Sequence, residues 1–539
     1  MEEGEINHDY DYIVIGSGFG GSVSALRLAE KGYKVLVIEK GKWYKQEDFP
    51  KTNWNLPRMF WAPTLRFFGI MKMTFFRHIT ILSGVGVGGG SLVYANTLPV
   101  PKAEFFNSGN WKGLADWEGE LRPFYQTAKK MLGAAPNPRL EEGDLALKEL
   151  AAGIGREEQF EAADVAVYFG QPGQTAPDPY FDGKGPERAG CTFCGGCMTG
   201  CRHNAKNTLD KNYLFLAQRL GVEILAESEV MDVTPIGEAD GSDGYAVRYR
   251  SSTAFFKNKK SATSRGIVFA GGVLGTIPLL LRLREASLPR LSARVGYDIR
   301  TNNESLIPVT TFDKSKDLSK GVAIGSILHT DENSHLEPVR YSSGSGFWRW
   351  LLLPMAHGGS FAARMGKIFK DWLSNPLSNL KVLFVDDWAR RTSTLLFMQH
   401  LDSTLRLRRE RLGYVQSSVD KGEAPSAFIP RAEELAQRYA RILNGKATVF
   451  GLEPILGIPS TAHILGGAAM GKDAGEGVID KNNKVFGYEN MLVCDGSMIS
   501  ANPGVNPSLT ITAISERAMS LIPEKRISRS FKSPSRHLL

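Results

Sequence analysis

Three constellations in this chain combine residue types and spacings that could do chemistry. The first is Gly16-Ser17-Gly18-Phe19-Gly20-Gly21, followed about twenty residues later by Glu39. In such a run Gly16 permits a tight turn, and Gly18 lets backbone approach a pyrophosphate at a helix N-terminus. Gly21 permits close packing of that helix on a strand. Glu39 then accepts hydrogen bonds from a ribose 2′-hydroxyl and repels a 2′-phosphate. The second is Cys191-Thr192-Phe193-Cys194-Gly195-Gly196-Cys197-Met198-Thr199-Gly200-Cys201, the C-x2-C-x2-C-x3-C spacing of a ferredoxin-type cluster. The proline usual after the fourth cysteine is replaced by Arg202-His203. The spacing leaves three readings open: an iron–sulfur cluster, a zinc ion, or four reduced structural thiols. A cluster near a redox cofactor would carry electrons out singly. The third is His463 in Thr461-Ala462-His463-Ile464-Leu465-Gly466-Gly467. A lone histidine is usually packed or exposed, so this one needs context before it counts as a proton acceptor.

The elements that must position these groups are legible. Asp11-Tyr12-Ile13-Val14-Ile15 is a short apolar, β-branched run that reads as a buried parallel strand. Ser22 to Lys31 carries a helical pattern, and Lys34 to Ile38 reads as a second strand ending at Glu39. Strand, glycine turn, helix, strand and acid together make a dinucleotide site, without separating FAD from NAD. Ser83-Gly84-Val85-Gly86-Val87-Gly88-Gly89-Gly90-Ser91-Leu92-Val93 is glycine-dense but has apolar flanks, which argues for a packed loop whose backbone approaches something flat or tightly curved. Asn490 to Ser497 is a further buried strand ending in Asp495 and Gly496. Asn502 to Ile511 opens a terminal helix, with Pro507 suited to the first helical position and Ser508 after it.

The chain has 539 residues, 42% of them apolar and 23% charged, which suits a soluble globular protein of two or three domain-sized units. The net charge of +8 reads as a solvated surface with a basic end, or as attraction to an anionic surface. The stretch from 526 to 539 is basic and Ser-rich and is expected to be disordered. Met1-Glu2-Glu3-Gly4-Glu5 has no signal-peptide character and no apolar run is long enough to span a bilayer. The expectation is a cytoplasmic protein, not secreted, with peripheral membrane contact as an option. Trp54 to Phe76 and Phe347 to Trp372 mix aromatic and basic residues. They read as core helices, or as an apolar substrate pocket and a lid that touches bilayer. No pattern supports nucleic acid as a partner.

The N-terminal fingerprint, the Gly-rich GVGVGGGSLV stretch and the C-terminal DGS…VNPSLTITAISERA block resemble the glucose–methanol–choline oxidoreductases, and within them the cholesterol oxidase branch. The resemblance runs over nearly the whole chain. It implies an α/β fold: a discontinuous Rossmann-like FAD-binding domain (8–110, 190–310, 460–525) under an α+β substrate-binding domain (111–189, 311–459). It places Val230 near the adenine, Gly271 with Gly272 at a second turn near the nucleotide, and Asp495 on the ribityl chain. No histidine lies between Ser83 and Pro101, so FAD is expected to be non-covalent. Tyr94-Ala95-Asn96 stands where the family often has Asn-Gly-Gly, so flavin-edge contacts there are not carried over. By resemblance, His463 orients the substrate hydroxyl and Asn506 touches both the substrate oxygen and the flavin edge. Glu337 corresponds in position to a glutamate that moves a ring double bond beside the new ketone. The other reading of Glu337 is a surface carboxylate paired with Arg340. The implied activity is FAD-dependent oxidation of a hydrophobic alcohol, a 3-hydroxysteroid first, with molecular oxygen or an electron carrier as acceptor and isomerisation as an added step. The rivals are a dehydrogenase of another bulky or long-chain alcohol, and a non-catalytic flavin- or sterol-binding protein. The presence of both His463 and Asn506 argues against the last.

Overall fold

The first apolar run becomes strand β1 (Tyr10–Ile15), the glycine turn opens helix α1 (Phe19–Glu30), and the second run becomes β2 (Val35–Ile38). In the computed structural model, which describes residues 7–526 apart from 359 and 402, β1 and β2 pair in parallel and every residue of β2 is buried. Val and Ile buried on both faces are what a central parallel strand requires. The same sheet takes in β3 (Glu223–Leu225), β4 (Ser228–Pro235), β5 (Tyr245–Ser251), β6 (Lys259–Phe269) and β7 (Met491–Val493). Its order is β3-β2-β1-β6-β5-β4, and β7 pairs with β6. The first half of β6 pairs antiparallel with β5, and its last residues pair in parallel with β7. The carboxyl ends of β1, β2, β6 and β7 therefore open at one edge, where Gly16, Glu39, Gly271 and Asp495 follow. In an open α/β sheet, ligands bind outside that edge.

Two expected domain boundaries are corrected. Helix α2 (Trp117–Met131) belongs to the nucleotide core, not to the substrate domain. Its Trp117, Leu121, Tyr125, Ala128 and Met131 recur at helical spacing and are buried against helix α4 (Ser508–Ser520); helix α3 (Val273–Arg284) joins the same core. Each large apolar side chain so buried contributes ~1.5–3 kcal/mol. The Tyr125 hydroxyl also donates to Thr510 Oγ1 at 3.0 Å. In the other direction, the cysteine segment packs with the substrate domain. Cys191 shares a cluster with Val322, Ile324 and Val339, and the Gly195 N–H donates to the Gly321 carbonyl at 2.8 Å. The basic stretch beyond Arg526 and the first six residues lie outside the described residues.

The second sheet is antiparallel throughout, in the order 352–354, 445–450, 305–311, 392–399, 334–339, 326–329, 160–162. Period-2 alternation gives it two unlike faces. Ile307, Val309, Leu336, Leu395 and Phe397 face the helices Glu142–Gly153 and Pro430–Ile442. Leu306, Val339, Thr394 and Leu396, each one residue out of phase with these, face a cavity.

Candidate active site

The cavity has a volume of about 580 Å³ and lies between the carboxyl edge of the first sheet and the free face of the second. Gly16, Gly18, Glu39, Gly90, Gly271, Asp495, Gly496, Asn506, Ser508 and His463 all line it. Residues from both ends of the chain meet here because β1 and β7 flank the same strand, β6.

The floor is built from close backbone. A Cβ on Gly21 would stand 2.1 Å from the Gly16 carbonyl oxygen, and one on Gly20 would stand 1.7 Å from that of Cys494. A Cβ on Gly18, by contrast, would meet nothing within 4 Å, so this backbone is bared to the cavity at the start of α1. Glu39 is buried and accepts the Ser17 N–H (3.1 Å), the Ser17 hydroxyl (2.8 Å) and the Gly41 N–H (2.8 Å). The carboxylate thus clamps the glycine turn while presenting itself to the cavity. Asp495 Oδ2 accepts the Gly272 N–H at 2.9 Å and the Thr276 hydroxyl at 2.5 Å, and Oδ1 accepts the Ser497 N–H at 2.8 Å. Burial lifts the Asp495 carboxyl above the usual range against these donors, which favour its charged form.

Three residues expected at the nucleotide, Gly86, Ser91 and Val230, do not line the cavity itself. Gly86 has φ +140 and closes on the Tyr44 ring and Leu92. The Ser91 hydroxyl donates to the Gly88 carbonyl (2.6 Å) and accepts the Leu209 N–H (3.1 Å), so it braces the loop. Val230 is buried in the nucleotide core, two residues beyond Ser228, whose N–H donates to the Glu39 carbonyl at 2.8 Å. The terminal helix begins at Ser508, one residue later than expected, with Pro507 as its cap.

The chemistry-bearing groups converge on the opposite wall. His463 Nδ1 stands 2.8 Å from Glu304 Oε1. Glu304 is fully buried and also accepts the Thr461 hydroxyl (2.6 Å) and the Ala462 N–H (3.1 Å). With Nδ1 engaged, Nε2 is the imidazole nitrogen left for a ligand. Burial alone would lower the His463 pKa; the Glu304 carboxylate, helped by Glu337, outweighs it and holds the imidazole above its ordinary value. Burial would likewise raise Glu304, but His463 and the two neighbouring donors hold it below the usual carboxylate range. The result is a buried imidazole–carboxylate pair whose imidazole is a better proton acceptor than a free one. Asn506 Nδ2 stands 3.4 Å from Glu337 Oε2, and Asn506 Oδ1 is buried with no partner in the protein. The surface reading of Glu337 is corrected: its side chain is 0% exposed, and Arg340 pairs at 2.7 Å with Asp144 instead. Glu304 is the residue the sequence reading missed. It sits in Asn302-Asn303-Glu304-Ser305, which matches no motif, and reaches His463 across 159 positions of chain.

The sequence and the fold find counterparts among known proteins. The model for GMC oxidoreductases matches residues 456–515, and a model for an FAD binding domain matches residues 11–45. A cholesterol oxidase of Acinetobacter baumannii is 45% identical over 533 residues, covering 96% of this chain and 95% of the relative. A cholesterol oxidase of Mycobacterium tuberculosis is 43% identical over 535 residues, covering 96% and 92%. The chain belongs to the GMC oxidoreductases, in their cholesterol oxidase branch. The crystal structure of pyridoxine 4-oxidase from Mesorbium loti shares this GMC oxidoreductase's fold, with a TM-score of 0.60 at 15% identity over 95% of this chain and 99% of that one.

This GMC oxidoreductase is an FAD-dependent enzyme acting on alcohols. The residues present fit the cofactor: bared backbone at Gly18, an acid at the end of β2, a second turn at Gly271-Gly272, and the start of α4 at Ser508. When bound, FAD supplies the acceptor for the carbinol hydride. The chain's own groups do the rest. On the protein side, the cavity-lining groups able to exchange hydrogen bonds or a proton with an alcohol are the Asn506 amide, with its free oxygen, and the His463 imidazole.

The metal reading of Cys191, Cys194, Cys197 and Cys201 is corrected. Among the described residues no three His, Cys, Asp or Glu side chains are placed to hold a metal ion. The four are unpaired thiols lining a separate cavity of about 380 Å³. Burial pushes the Cys197 thiol up to about 11 and Cys191 well above its usual value.

Proposed function

We propose that this oxidoreductase converts the 3-hydroxyl of a sterol, or of a similarly bulky apolar alcohol, to the ketone, and that Glu337 then moves a ring double bond into conjugation. One observation carries the reading: His463 and Asn506 line the same apolar-walled cavity as the glycine turn and Asp495. The wall facing them is made by Met71, Met73, Leu306, Val339, Trp348 and Phe450. A small polar alcohol would gain nothing from it, whereas a fused-ring or long-chain substrate would bury most of its surface there.

The cavity mouth supports contact with a lipid surface. Trp350, Leu351 and Ile455 line the cavity and are themselves exposed. Beside them the helices Phe361–Ser374 and Pro376–Phe384 expose Phe361, Phe369, Leu373, Leu377 and Phe384, with Lys367, Lys370 and Lys381 between. Apolar rings flanked by lysines suit the boundary between acyl chains and anionic headgroups. No described helix is long and apolar enough to cross a membrane. The test is a substrate screen on the purified flavoprotein, under air and then anaerobically with a dye. Cholesterol in detergent should give the conjugated ketone, with hydrogen peroxide under air if oxygen is the acceptor and dye reduction alone if a carrier is. Turnover of short-chain alcohols but not of sterols would overturn the reading.

A further inference from the structure

We propose that His335 and His329 form a proton relay linking the buried Glu337 carboxyl to solvent at Glu161. His335 and Glu337 are two residues apart on the strand Ser334–Val339, so they project from one face of the sheet. Val339, the next residue on that face, lines the cavity. His329 lies directly opposite His335 on the neighbouring strand, and directly opposed residues share a face. Two imidazoles and a carboxylate thus form a file along the sheet, pointing at the active site.

The contacts follow the file. Glu337 Oε1 stands 3.4 Å from His335 Nε2, the two imidazole centroids are 6.0 Å apart, and His329 Nε2 stands 3.5 Å from Glu161 Oε1. Side-chain exposure rises along it from 0% at Glu337 to 4% at His335, 24% at His329 and 60% at Glu161. The other end is tied to the site, since Glu337 Oε2 faces the Asn506 amide. His335 Nε2, Glu337 Oε1 and His329 Nδ1 are all buried without a hydrogen-bond partner in the protein. Burying such atoms costs stability, and apolar side chains would fill this face more cheaply. An imidazole can accept a proton at one ring nitrogen and release it from the other, which no apolar side chain can do.

The relay rests on the proposed isomerisation. There Glu337, as carboxylate, takes the proton from the carbon between the new ketone and the double bond, leaving a dienolate and a carboxylic acid. Return of a proton from that acid to the far end of the dienolate gives the conjugated ketone and regenerates the carboxylate, with no net change in protons. While Glu337 is an acid, its proton can pass through His335 and His329 to water and be replaced by one from water.

The test is isomerisation by the holoenzyme in D2O, with the deuterium per molecule of conjugated ketone read by mass spectrometry at the carbon that receives the proton. This ratio does not depend on how fast the enzyme turns over. The wild type should place solvent deuterium there. His335→Gln and His329→Ala, the latter at a partly exposed position, should return the substrate's own hydrogen, and free imidazole should restore deuterium uptake to His329→Ala. Equal deuterium in wild type and both variants, or none in the wild type, overturns the relay while leaving isomerisation standing. Failure of the wild type to form the conjugated ketone overturns both.

Discussion

Replacing Glu304 by Gln keeps the shape of the His463 contact and removes its charge. The 2.8 Å hydrogen bond joins a fully buried carboxylate to an imidazole whose side chain is 13% exposed, so solvent screens it little. A hydrogen bond to a charged group contributes ~1.5–3 kcal/mol, and ~1.4 kcal/mol is tenfold in rate. If the imidazolium formed during proton transfer draws on that whole interaction, the oxidation step slows by ~10- to 10²-fold. The pH profile should move as well. Glu304 holds His463 above its ordinary value against burial, so without the carboxylate burial prevails and the imidazole stays neutral at lower pH. The acid limb of the rate profile therefore shifts down while its plateau falls. Stability carries the same signature. Glu304 is depressed, so its contribution is present above its ordinary 4.5 and is lost as pH falls through its folded value. His463 is raised, so its contribution is present below its ordinary 6.5 and is lost as pH rises through its folded value. Wild type should exceed Glu304→Gln in Tm most clearly between those two ordinary values. The assay is anaerobic bleaching of the bound flavin on mixing with sterol, measured across pH. Bleaching within twofold of wild type, with an unmoved acid limb, would refute the argument that Glu304 drives His463.

Further outcomes follow from single contacts. Glu337→Gln should still form ketone but leave it unconjugated, a shift read directly by ultraviolet absorbance of the product. Gly20→Ala forces a Cβ to within 1.7 Å of the Cys494 carbonyl oxygen, so α1 must move off β7; the variant should lose bound FAD and ~1–3 kcal/mol or more of stability, read by flavin content and Tm. Glu453, 1% exposed with burial pushing its carboxyl up to about 8, should become a liability as it ionises. Its raised value means that stability present below its ordinary 4.5 is lost as pH rises toward 8, so Glu453→Gln should gain Tm over wild type progressively across that window.

The parts of this enzyme that were readable in advance are those whose physics is local. A glycine that must bare its backbone at Gly18, an acid closing β2 at Glu39 and the buried run of β7 each follow from a few adjacent residues. Glu304 and the histidine file were not readable, because their partners come from strands whose pairing no local pattern announces. The domain to which helix α2 belongs is not legible for the same reason: its amphipathic stripe shows that it packs, not that it packs on α4. The cysteine run shows the converse failure. Its spacing is local and strong, yet the four cysteines are unpaired and line a cavity, with no metal-holding group among the described residues. Ser91 and Gly86 sit in a loop whose glycines serve two ends, some baring backbone to the cavity and others closing the loop on itself.

The account turns on His463 and Asn506 holding one carbinol carbon over the site, and a single-turnover comparison reaches that claim most directly. Sterol carrying deuterium in place of hydrogen on the carbinol carbon is mixed anaerobically with the holoenzyme, and flavin bleaching is followed against unlabelled sterol. Slower bleaching with the label, abolished along with bleaching itself in His463→Ala, is the predicted result; equal rates for the two sterols, or undiminished bleaching in that variant, would contradict it.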